Sequence, residues 1–215
     1  MQLFTYFRSS AAYRVRIALN IKGMAYDSVP VNLLAGDHKQ PAYRAKNPQG
    51  RVPAFLDDEG NFFTQSTAIL EYLEEKHPTP SLLPGDSAAR ARIRQFAAII
   101  ACDIHPLNNL SVLKYLKDNF AAGEPAVAAW YAHWIQAGFA AAEALLETTK
   151  TDRDGPYAFG FQPTFADACL VPQMYNARRY DVDLAAFPRL VAVDAFCRQQ
   201  PAFIAAAPDS QADAP

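Results

Sequence analysis

The chain has little of what marks a membrane-spanning, secreted or metal-binding protein. No apolar run is long enough to cross a bilayer, and residues 1–5 carry neither the basic region nor the apolar stretch of a secretory signal. Cysteine is scarce: Cys102, Cys169 and Cys197 stand far apart, with no Cys-x-x-Cys pair and no metal-ligand spacing. We therefore expect three reduced thiols, no bound metal and a cytoplasmic location.

The chain also lacks a surplus of charge. It carries 20 Lys and Arg against 22 Asp and Glu, a formal net charge of −2. This balance provides no electrostatic footprint for nucleic acid or for an anionic membrane, and we expect neither as a partner. Apolar residues, by contrast, make up 51% of the 215 residues, enough for the core of one large domain or two small ones.

Residues 1–76 alternate short strands with helices. Runs rich in β-branched and aromatic residues predict strands over 2–7, 26–32, 52–57 and 61–65. Helices are predicted over 11–22 and from Ser66 onward, and 34–43 predicts a loop with room for a short helix. The first two strands flank a helix, which indicates a right-handed crossover and a parallel pair. Asp58-Glu59-Gly60 indicates a hairpin between the last two strands.

Residues 77–86 are rich in proline and predict an extended linker, after which alanine dominates and strand patterns disappear. We expect helices near 87–119, 125–148, 164–179 and 188–206. Pro106 predicts a kink in the first of them, and Thr164-x-x-Asp167 has the spacing of a capping box. The small, polar tail 207–215 is expected to fray. The chain is thus an α/β domain, 1–80, followed by an all-α domain, 87–215.

Two predicted helix starts supply candidate binding groups in the first domain. Ser9-Ser10 and Gln65-Ser66 each stand where a strand gives way to a helix. The free N–H groups and partial positive charge of a helix start suit a carboxylate or a thiolate, and Arg8 adds positive charge at the first of them. Simple capping by the same hydroxyls is the alternative, and local sequence favours it.

Val52-Pro53 supplies a third candidate group, at the start of a predicted strand. A cis bond there would turn the N–H and C=O of Val52 outward, where an extended peptide could pair with them. A trans proline on an edge strand is the alternative and the commoner case. Jointly, the three features suit a tripeptide with a carboxylate at one end and a thiol in the middle.

Six motifs carry a resemblance to a known family. They are SSAAYRVRIAL at 9–19, NPQGRVP at 47–53, QSTAI at 65–69, DIHPLNN at 103–109, PTFAD at 163–167 and LVPQMYNARRY at 170–180. In this number and order they resemble the zeta-class glutathione transferases, and more narrowly the maleylacetoacetate and maleylpyruvate isomerases, over nearly the whole chain. The resemblance implies the glutathione-transferase fold, with a thioredoxin-like N-terminal domain, a helical C-terminal domain and a homodimer.

The resemblance also assigns residues to glutathione. It makes Pro53 the family's cis-proline and Val52 the backbone partner of the glutathione cysteinyl residue. Gln65 and Ser66 match the residues that hold the γ-glutamyl end, and Ser9 matches the hydroxyl that contacts the thiolate. Further candidates near glutathione are Ser10, His38, Gln49 and Asn108.

The implied reaction is the glutathione-dependent cis–trans isomerisation of a maleyl keto acid to its fumaryl form, in the breakdown of aromatic compounds. Arg8 and Arg179 match positions that hold the substrate carboxylates. From local sequence alone, Arg179 would instead form a surface ion pair with Asp181 or Asp183. His105, before Pro106, could carry a proton or be a satisfied core residue, and the structural reading is favoured.

The chain departs from the family's pattern in two places. Ala11 stands where the family often has Cys, and Tyr13 stands in place of Trp. Leu110 and Ser111 follow the Asn-Asn pair, where relatives specialised for maleylpyruvate can carry Arg. This either favours maleylacetoacetate or leaves the second carboxylate of the substrate more loosely held. Two other functions remain open: a general glutathione transferase or peroxidase that consumes glutathione, and a non-enzymatic binding module of the same fold.

Overall fold

The structure, a computed structural model, describes residues 1–148 and 155–215. They form two compact units, of which the first comprises Met1–Leu82 together with Gln199–Pro215 and the second Leu83–Arg198. The domain limits expected from sequence, 1–80 and 87–215, put the C-terminal residues in the helical domain. They belong instead with the first unit, because their helix packs against the first helix of the chain.

A four-stranded mixed sheet forms the first unit's centre. The strands are β1 (Gln2–Thr5), β2 (Asp27–Pro30), β3 (Ala54–Leu56) and β4 (Phe62–Thr64), in the order β2-β1-β3-β4. β1 is parallel to β2 and antiparallel to β3, and β3 is antiparallel to β4. The predicted parallel pair and terminal hairpin are confirmed, and with them the thioredoxin-like order.

Four helices accompany this sheet: α1 (Ser10–Ile21), α2 (Pro41–Arg44), α3 (Ser66–Lys76) and α9 (Pro201–Ala206). The predicted loop 34–43 holds a short 3₁₀ turn, Asp37–Lys39, and the start of α2. α1 contacts both α3 and α9. Apolar side chains such as Val15, Ile17 and Leu73 are fully buried. The packing of α1 against α3 therefore holds the first turns of both helices in place.

The second unit is helical throughout its described part, 83–148 and 155–198, apart from connecting turns. Its helices are α4 (Ser87–Ala98), a π-helix (Ile99–Ile104), α5 (Leu110–Phe120), α6 (Glu124–Thr148), α7 (Phe165–Arg179) and α8 (Pro188–Cys197). The long helix expected over 87–119 is interrupted rather than kinked. Pro106 offers no N–H and its ring crowds the preceding turn, so the helix widens and ends before it.

Of two further expectations, one is corrected at a proline and one is confirmed at a helix cap. The helix expected over 188–206 is split into α8 and α9, because Pro201 cannot continue the first and instead opens the second. The capping box at α7 is confirmed: the Thr164 N–H donates to Asp167 Oδ2 over 2.7 Å, and the Ala166 N–H donates to Thr164 Oγ1 over 3.2 Å. Burial raises the pKa of Asp167 to about 6.

The tail expected to fray is ordered. Pro208–Ser210 forms a 3₁₀ turn, and the side-chain amide of Gln211 donates to the carbonyls of Ala205 and Ala207. Ala214 packs against the first unit's apolar cluster, so apolar contact and backbone hydrogen bonds outweigh the small, polar composition.

In the described ranges 1–148 and 155–215, no helix is long and apolar enough to cross a membrane. Cys102, Cys169 and Cys197 carry free thiols. A cis bond joins Thr79 to Pro80 in the linker, which the sequence did not indicate.

Candidate functional site

Ser9 stands at the turn between β1 and α1 and caps the helix. Its Oγ accepts the Ala12 N–H at 3.2 Å, and its own N–H donates to the Tyr6 carbonyl at 2.9 Å. Within the described chain, the Ser9 hydroxyl has no acceptor for its proton. Capping uses the oxygen and leaves the proton, so the cap and the anion donor foreseen from the sequence are compatible. Ser10 is buried and is the first residue of α1.

Arg8 directly precedes this cap and is half-buried. Its guanidinium lies 5.1 Å from the centre of the Phe7 ring. Among the residues that the structure describes, no carboxylate lies within ion-pair distance of it. A cation held on an aromatic face with no carboxylate partner is available to an anionic ligand.

The Val52–Pro53 bond is cis, as the resemblance implied and against the commoner trans alternative. Both residues are buried, directly before β3. The carbonyl of Arg51 accepts from Tyr43 Oη at 2.6 Å and from Asn47 Nδ2 at 2.7 Å, which holds the chain on one side. For the Val52 N–H and C=O, the described part of the chain provides no hydrogen-bond partner. They are available to an extended peptide.

Gln65 joins β4 to α3 with an unusual backbone, φ 70°. Positive φ is uncommon outside glycine and is concentrated at functional sites. Its Nε2 donates to Gln49 Oε1 over 2.7 Å, so two candidate site residues from separate motifs meet. Both side chains are exposed and retain free donors and acceptors.

The expectation that Ser66 caps α3 is wrong. Gln65 occupies the capping position, without a side-chain hydrogen bond, and Ser66 is the first residue inside the helix. The Ser66 Oγ accepts instead from Arg14 Nη1 at 3.2 Å, in a buried contact. Because the oxygen accepts from a guanidinium, its own proton points elsewhere and can be donated.

The start of α3 concentrates positive charge. Its first helical hydrogen bond runs from the Ile69 N–H to the Gln65 carbonyl at 3.0 Å, so the three preceding N–H groups begin the helix without an acceptor inside it. Arg14, 2% exposed, lies against the same turn through Ser66. Orphan amides, the helix dipole and a buried guanidinium are groups that suit a carboxylate.

His38 lies against the loop that carries Gln49. A side chain at Gly50, whose φ is 59°, would meet the His38 carbonyl at 2.7 Å, so glycine permits the close approach. His38 is half-buried, and burial lowers its pKa, which favours a neutral imidazole at neutral pH. Among described atoms its buried Nδ1 has no hydrogen-bond partner. The imidazole therefore keeps a polar atom available.

The remaining candidates belong to the second unit. Asn108 is buried, and its Nδ2 donates to the Tyr131 carbonyl over 3.1 Å. Arg179, at the end of α7, is exposed; its Nη2 donates to Tyr180 Oη at 3.2 Å, and its guanidinium lies 4.8 Å from that ring's centre. Tyr180 stacks on Tyr131 with centroids 3.7 Å apart.

The surface ion pair that local sequence suggested for Arg179 does not form. Within ion-pair distance of its guanidinium, the described chain places no carboxylate, and neither Asp181 nor Asp183 pairs with it. The Tyr180 ring orients the guanidinium instead. His105 is half-buried at the end of the π-helix.

Comparison with known proteins identifies the family. Residues 3–81 match the glutathione S-transferase N-terminal domain. Over 99% of both chains, the sequence is 49% identical to maleylpyruvate isomerase of Ralstonia sp. It is 49% identical to maleylacetoacetate isomerase of Pseudomonas aeruginosa over 100% of this chain and 99% of the relative, and 42% identical to a zeta-class glutathione S-transferase of Euphorbia esula over 99% and 92%.

The chain belongs to the zeta class of the glutathione transferases. A holo structure of a bacterial maleyl pyruvate isomerase of the zeta class superposes with a TM-score of 0.96 at 48% identity, covering 100% of both chains. Maleylacetoacetate isomerase of Methylobacterium extorquens, crystallised with malonate and glutathione, gives 0.94 at 36% identity, also over the full length of both. The fold expected from the sequence is therefore confirmed.

Two buried arginines of this zeta-class transferase escaped the sequence reasoning. Arg14 and Arg16 stand in the SSAAYRVRIAL motif, yet no role was assigned to them. Arg14 reaches Ser66, and Arg16, with none of its surface exposed, holds backbone carbonyls around the β1–α1 turn. Two cations on an otherwise apolar, buried helix were the available signal, since a buried charge requires partners.

Proposed function

We propose that the protein is a glutathione-dependent cis–trans isomerase that converts a maleyl keto acid, maleylacetoacetate or maleylpyruvate, to its fumaryl form. The observation that carries this proposal is a set of hydrogen-bond donors suited to glutathione. They lie in a chain that is 49% identical, over nearly its full length, to two such isomerases.

The first unit offers groups suited to each part of glutathione. The start of α3, with Ser66 and the Gln65–Gln49 pair, suits the γ-glutamyl carboxylate and amine. The unpaired backbone of Val52 suits the peptide of the cysteinyl residue. The Ser9 hydroxyl, with its proton unused, suits the thiolate. His38 and Asn108 are further candidate contacts, and Ser10 stands beside Ser9.

When bound, glutathione would supply a thiol nucleophile for reversible addition to the substrate's double bond, and it would not be consumed. The protein's part is to favour the thiolate. Ser9 donates its hydroxyl proton to the sulfur, and the positive end of α1 lies at the same residue. Ala11 offers no thiol at this turn, so the sulfur nucleophile there is the one that glutathione brings.

Two arginines take the substrate's carboxylates. The planar guanidinium can bind a carboxylate through two parallel hydrogen bonds, and both Arg8 and Arg179 are held on aromatic rings without a carboxylate partner in the described chain. Maleyl keto acids carry two carboxylates, whereas a neutral electrophile carries none. We assign Arg8 and Arg179 to this charge.

A homodimer and a cytoplasmic location complete the proposal. Membership of the zeta class supports the homodimer. The three free thiols support a reducing compartment.

The function is tested by measuring the concentrations of product and of glutathione in the same reaction. With catalytic glutathione and an excess of maleylacetoacetate or maleylpyruvate, offered side by side, we expect many turnovers to the fumaryl product while the glutathione concentration stays constant. Loss of one glutathione per turnover would instead identify a general transferase or peroxidase. Glutathione binding without product from either keto acid or from electrophiles would identify a binding module.

A further inference from the structure

The C-terminal tail reaches back to the turn that carries Ser9. Asp213 Oδ2 accepts the N–H of Phe7 over 2.9 Å, although the two residues are 206 positions apart. The next residue, Ala214, packs against an apolar cluster that includes Phe7 and Tyr6. The tail therefore contacts the turn through this hydrogen bond and packs against the apolar cluster to which the turn belongs.

Arg16 holds the same turn through two backbone carbonyls. Its Nη2 donates to the Phe7 carbonyl at 2.9 Å and its Nη1 donates to the Tyr6 carbonyl at 3.4 Å. Its Nε donates to the carbonyl of Ala206, at the end of α9, over 2.9 Å. Burial lowers the pKa of Arg16 to about 10, and the nearby carboxylate of Asp213 opposes that lowering, so the guanidinium stays charged at neutral pH.

These contacts leave the turn little freedom. Phe7 has its N–H held by Asp213 and its C=O held by Arg16, while the Tyr6 carbonyl accepts from both Arg16 and the Ser9 N–H. Ser9 is two residues beyond Phe7. A shift of the Phe7 peptide therefore moves the Ser9 hydroxyl, and with it the direction of its proton.

We propose that Asp213 is a positioning residue for the reaction: by holding the Phe7 N–H, it sets the place of the Ser9 hydroxyl. The inference rests on the proposed role of Ser9 as thiolate donor. Asp213 does not touch the reacting atoms. Its effect is on geometry, to which catalysis is sensitive because misplacement by about 1 Å can cost on the order of 100-fold in rate.

Asp213→Ala tests the proposal, with Asp213→Asn and Asp209→Ala as its controls. Asparagine keeps a carbonyl oxygen for the Phe7 N–H and is expected to restore most activity. Asp209 is an exposed carboxylate on the same tail, and its removal is expected to change nothing. For Asp213→Ala we expect kcat at neutral pH to fall roughly tenfold or more, with KM for the keto acid within about twofold.

The thiol pKa of bound glutathione distinguishes a positioning role of Asp213 from a purely structural one, because loss of stability alone would not change that pKa. The thiolate absorbance, titrated against pH in the complex, should appear at higher pH in Asp213→Ala than in the wild type. Arg8 and Arg16 also carry charge at this turn, and the Asp213 carboxylate acts on Arg16. Asp213→Asn removes the same charge but keeps an oxygen for the Phe7 N–H, so a titration shift that is present in Asp213→Ala and absent in Asp213→Asn reports position and not charge. A lower denaturation midpoint with an unchanged thiolate titration and unchanged kcat would overturn the proposal. If Asp213→Ala does not fold, Asp213→Ser, whose hydroxyl is too short to reach Phe7, is judged by the same criteria.

Ser9→Ala separates this inference from the function on which it rests. If Ser9→Ala shifts the thiolate titration and Asp213→Ala does not, the positioning role fails and the role of Ser9 stands. If neither shifts it, the role of Ser9 fails as well. In the double variant we expect no further shift beyond Ser9→Ala, because both changes act through one hydroxyl.

Discussion

Ser9 combines two hydrogen-bonding tasks in one hydroxyl. Its oxygen satisfies the Ala12 N–H at the start of α1, and its proton remains for a ligand. The sequence had presented capping and thiolate contact as alternatives. The geometry makes them compatible, because a hydroxyl accepts and donates in different directions.

Removing this hydroxyl should therefore harm turnover more than stability. For Ser9→Ala we expect kcat to fall about 100-fold, the usual order for one lost donor to a developing anion. The lost cap should lower the free energy of unfolding by ~1 kcal/mol. Steady-state kinetics, denaturation and the pH titration of thiolate absorbance measure the three effects. Ser9→Thr, which keeps a hydroxyl, is the matched control. An unchanged thiol pKa in Ser9→Ala would transfer the role to Ser10.

Arg179 should distinguish charged from neutral substrates. A charge-assisted hydrogen bond contributes about 1.5–3 kcal/mol, so Arg179→Ala should raise KM for the maleyl substrate by roughly 10- to 100-fold. Glutathione affinity and activity towards a neutral electrophile should change little. Kinetics with both substrates measure the difference, and Arg92→Ala, at an exposed arginine of the same unit, is the control. Equal losses with both substrates would favour the general-transferase function.

At the scale of elements, the start of α7 is structural. Asp167 is fully buried and accepts the N–H groups of Thr164 and Ala158, which ties the preceding loop to the helix. Burial outweighs these donors and raises its pKa. The start of α3 is the opposite case, since its first N–H groups have no side-chain cap and its neighbours are cations and amides.

Changes at the capping box should thus affect stability and not glutathione. We expect Thr164→Ala to lower the free energy of unfolding by ~1 kcal/mol. Asp167→Ala should cost more, about 1–3 kcal/mol, because it leaves buried N–H groups without an acceptor. Denaturation gives the stability and calorimetry on folded protein gives the glutathione affinity. The exposed Thr148→Ala should be near neutral in both assays. Normal stability with poor glutathione binding would contradict the structural assignment.

At the scale of the molecule, the division into units follows contacts more than composition. Alanine-rich sequence continues past residue 198, and no sequence pattern there predicts that residues 199–215 belong to the first unit. The tail is small and polar, so the sequence indicated fraying. The tail is held by the Phe7 N–H, by the Arg16 guanidinium and by an apolar cluster that draws on residues 4–54.

Most of the fold and much of the candidate site were accessible from the sequence. The strands, the hairpin, the α7 capping box and the proline-rich linker follow from short-range patterns, because each depends on residues within a few positions. The sheet order β2-β1-β3-β4 was implied only by the family resemblance, since it joins strands about 50 residues apart, and Pro106 predicted a kink where the helix is interrupted. Family motifs added the cis bond at Pro53 and the glutathione residues, of which Gln49 and Gln65 do meet in the structure. The substrate's carboxylate sites stay a prediction.

The sequence by itself determined the strands, most of the helices, their order along the chain and the family. Tertiary structure alone decided that Ser66 receives Arg14 instead of capping α3, that Arg16 is wholly buried, and that Asp213 holds the turn before Ser9. Each involves a hydrogen bond between distant residues: Arg14 to Ser66, Arg16 to Ala206 and Phe7 to Asp213 are 52, 190 and 206 positions apart. No local pattern encodes such a pairing, because a buried donor or acceptor takes whichever partner the packed chain brings within reach.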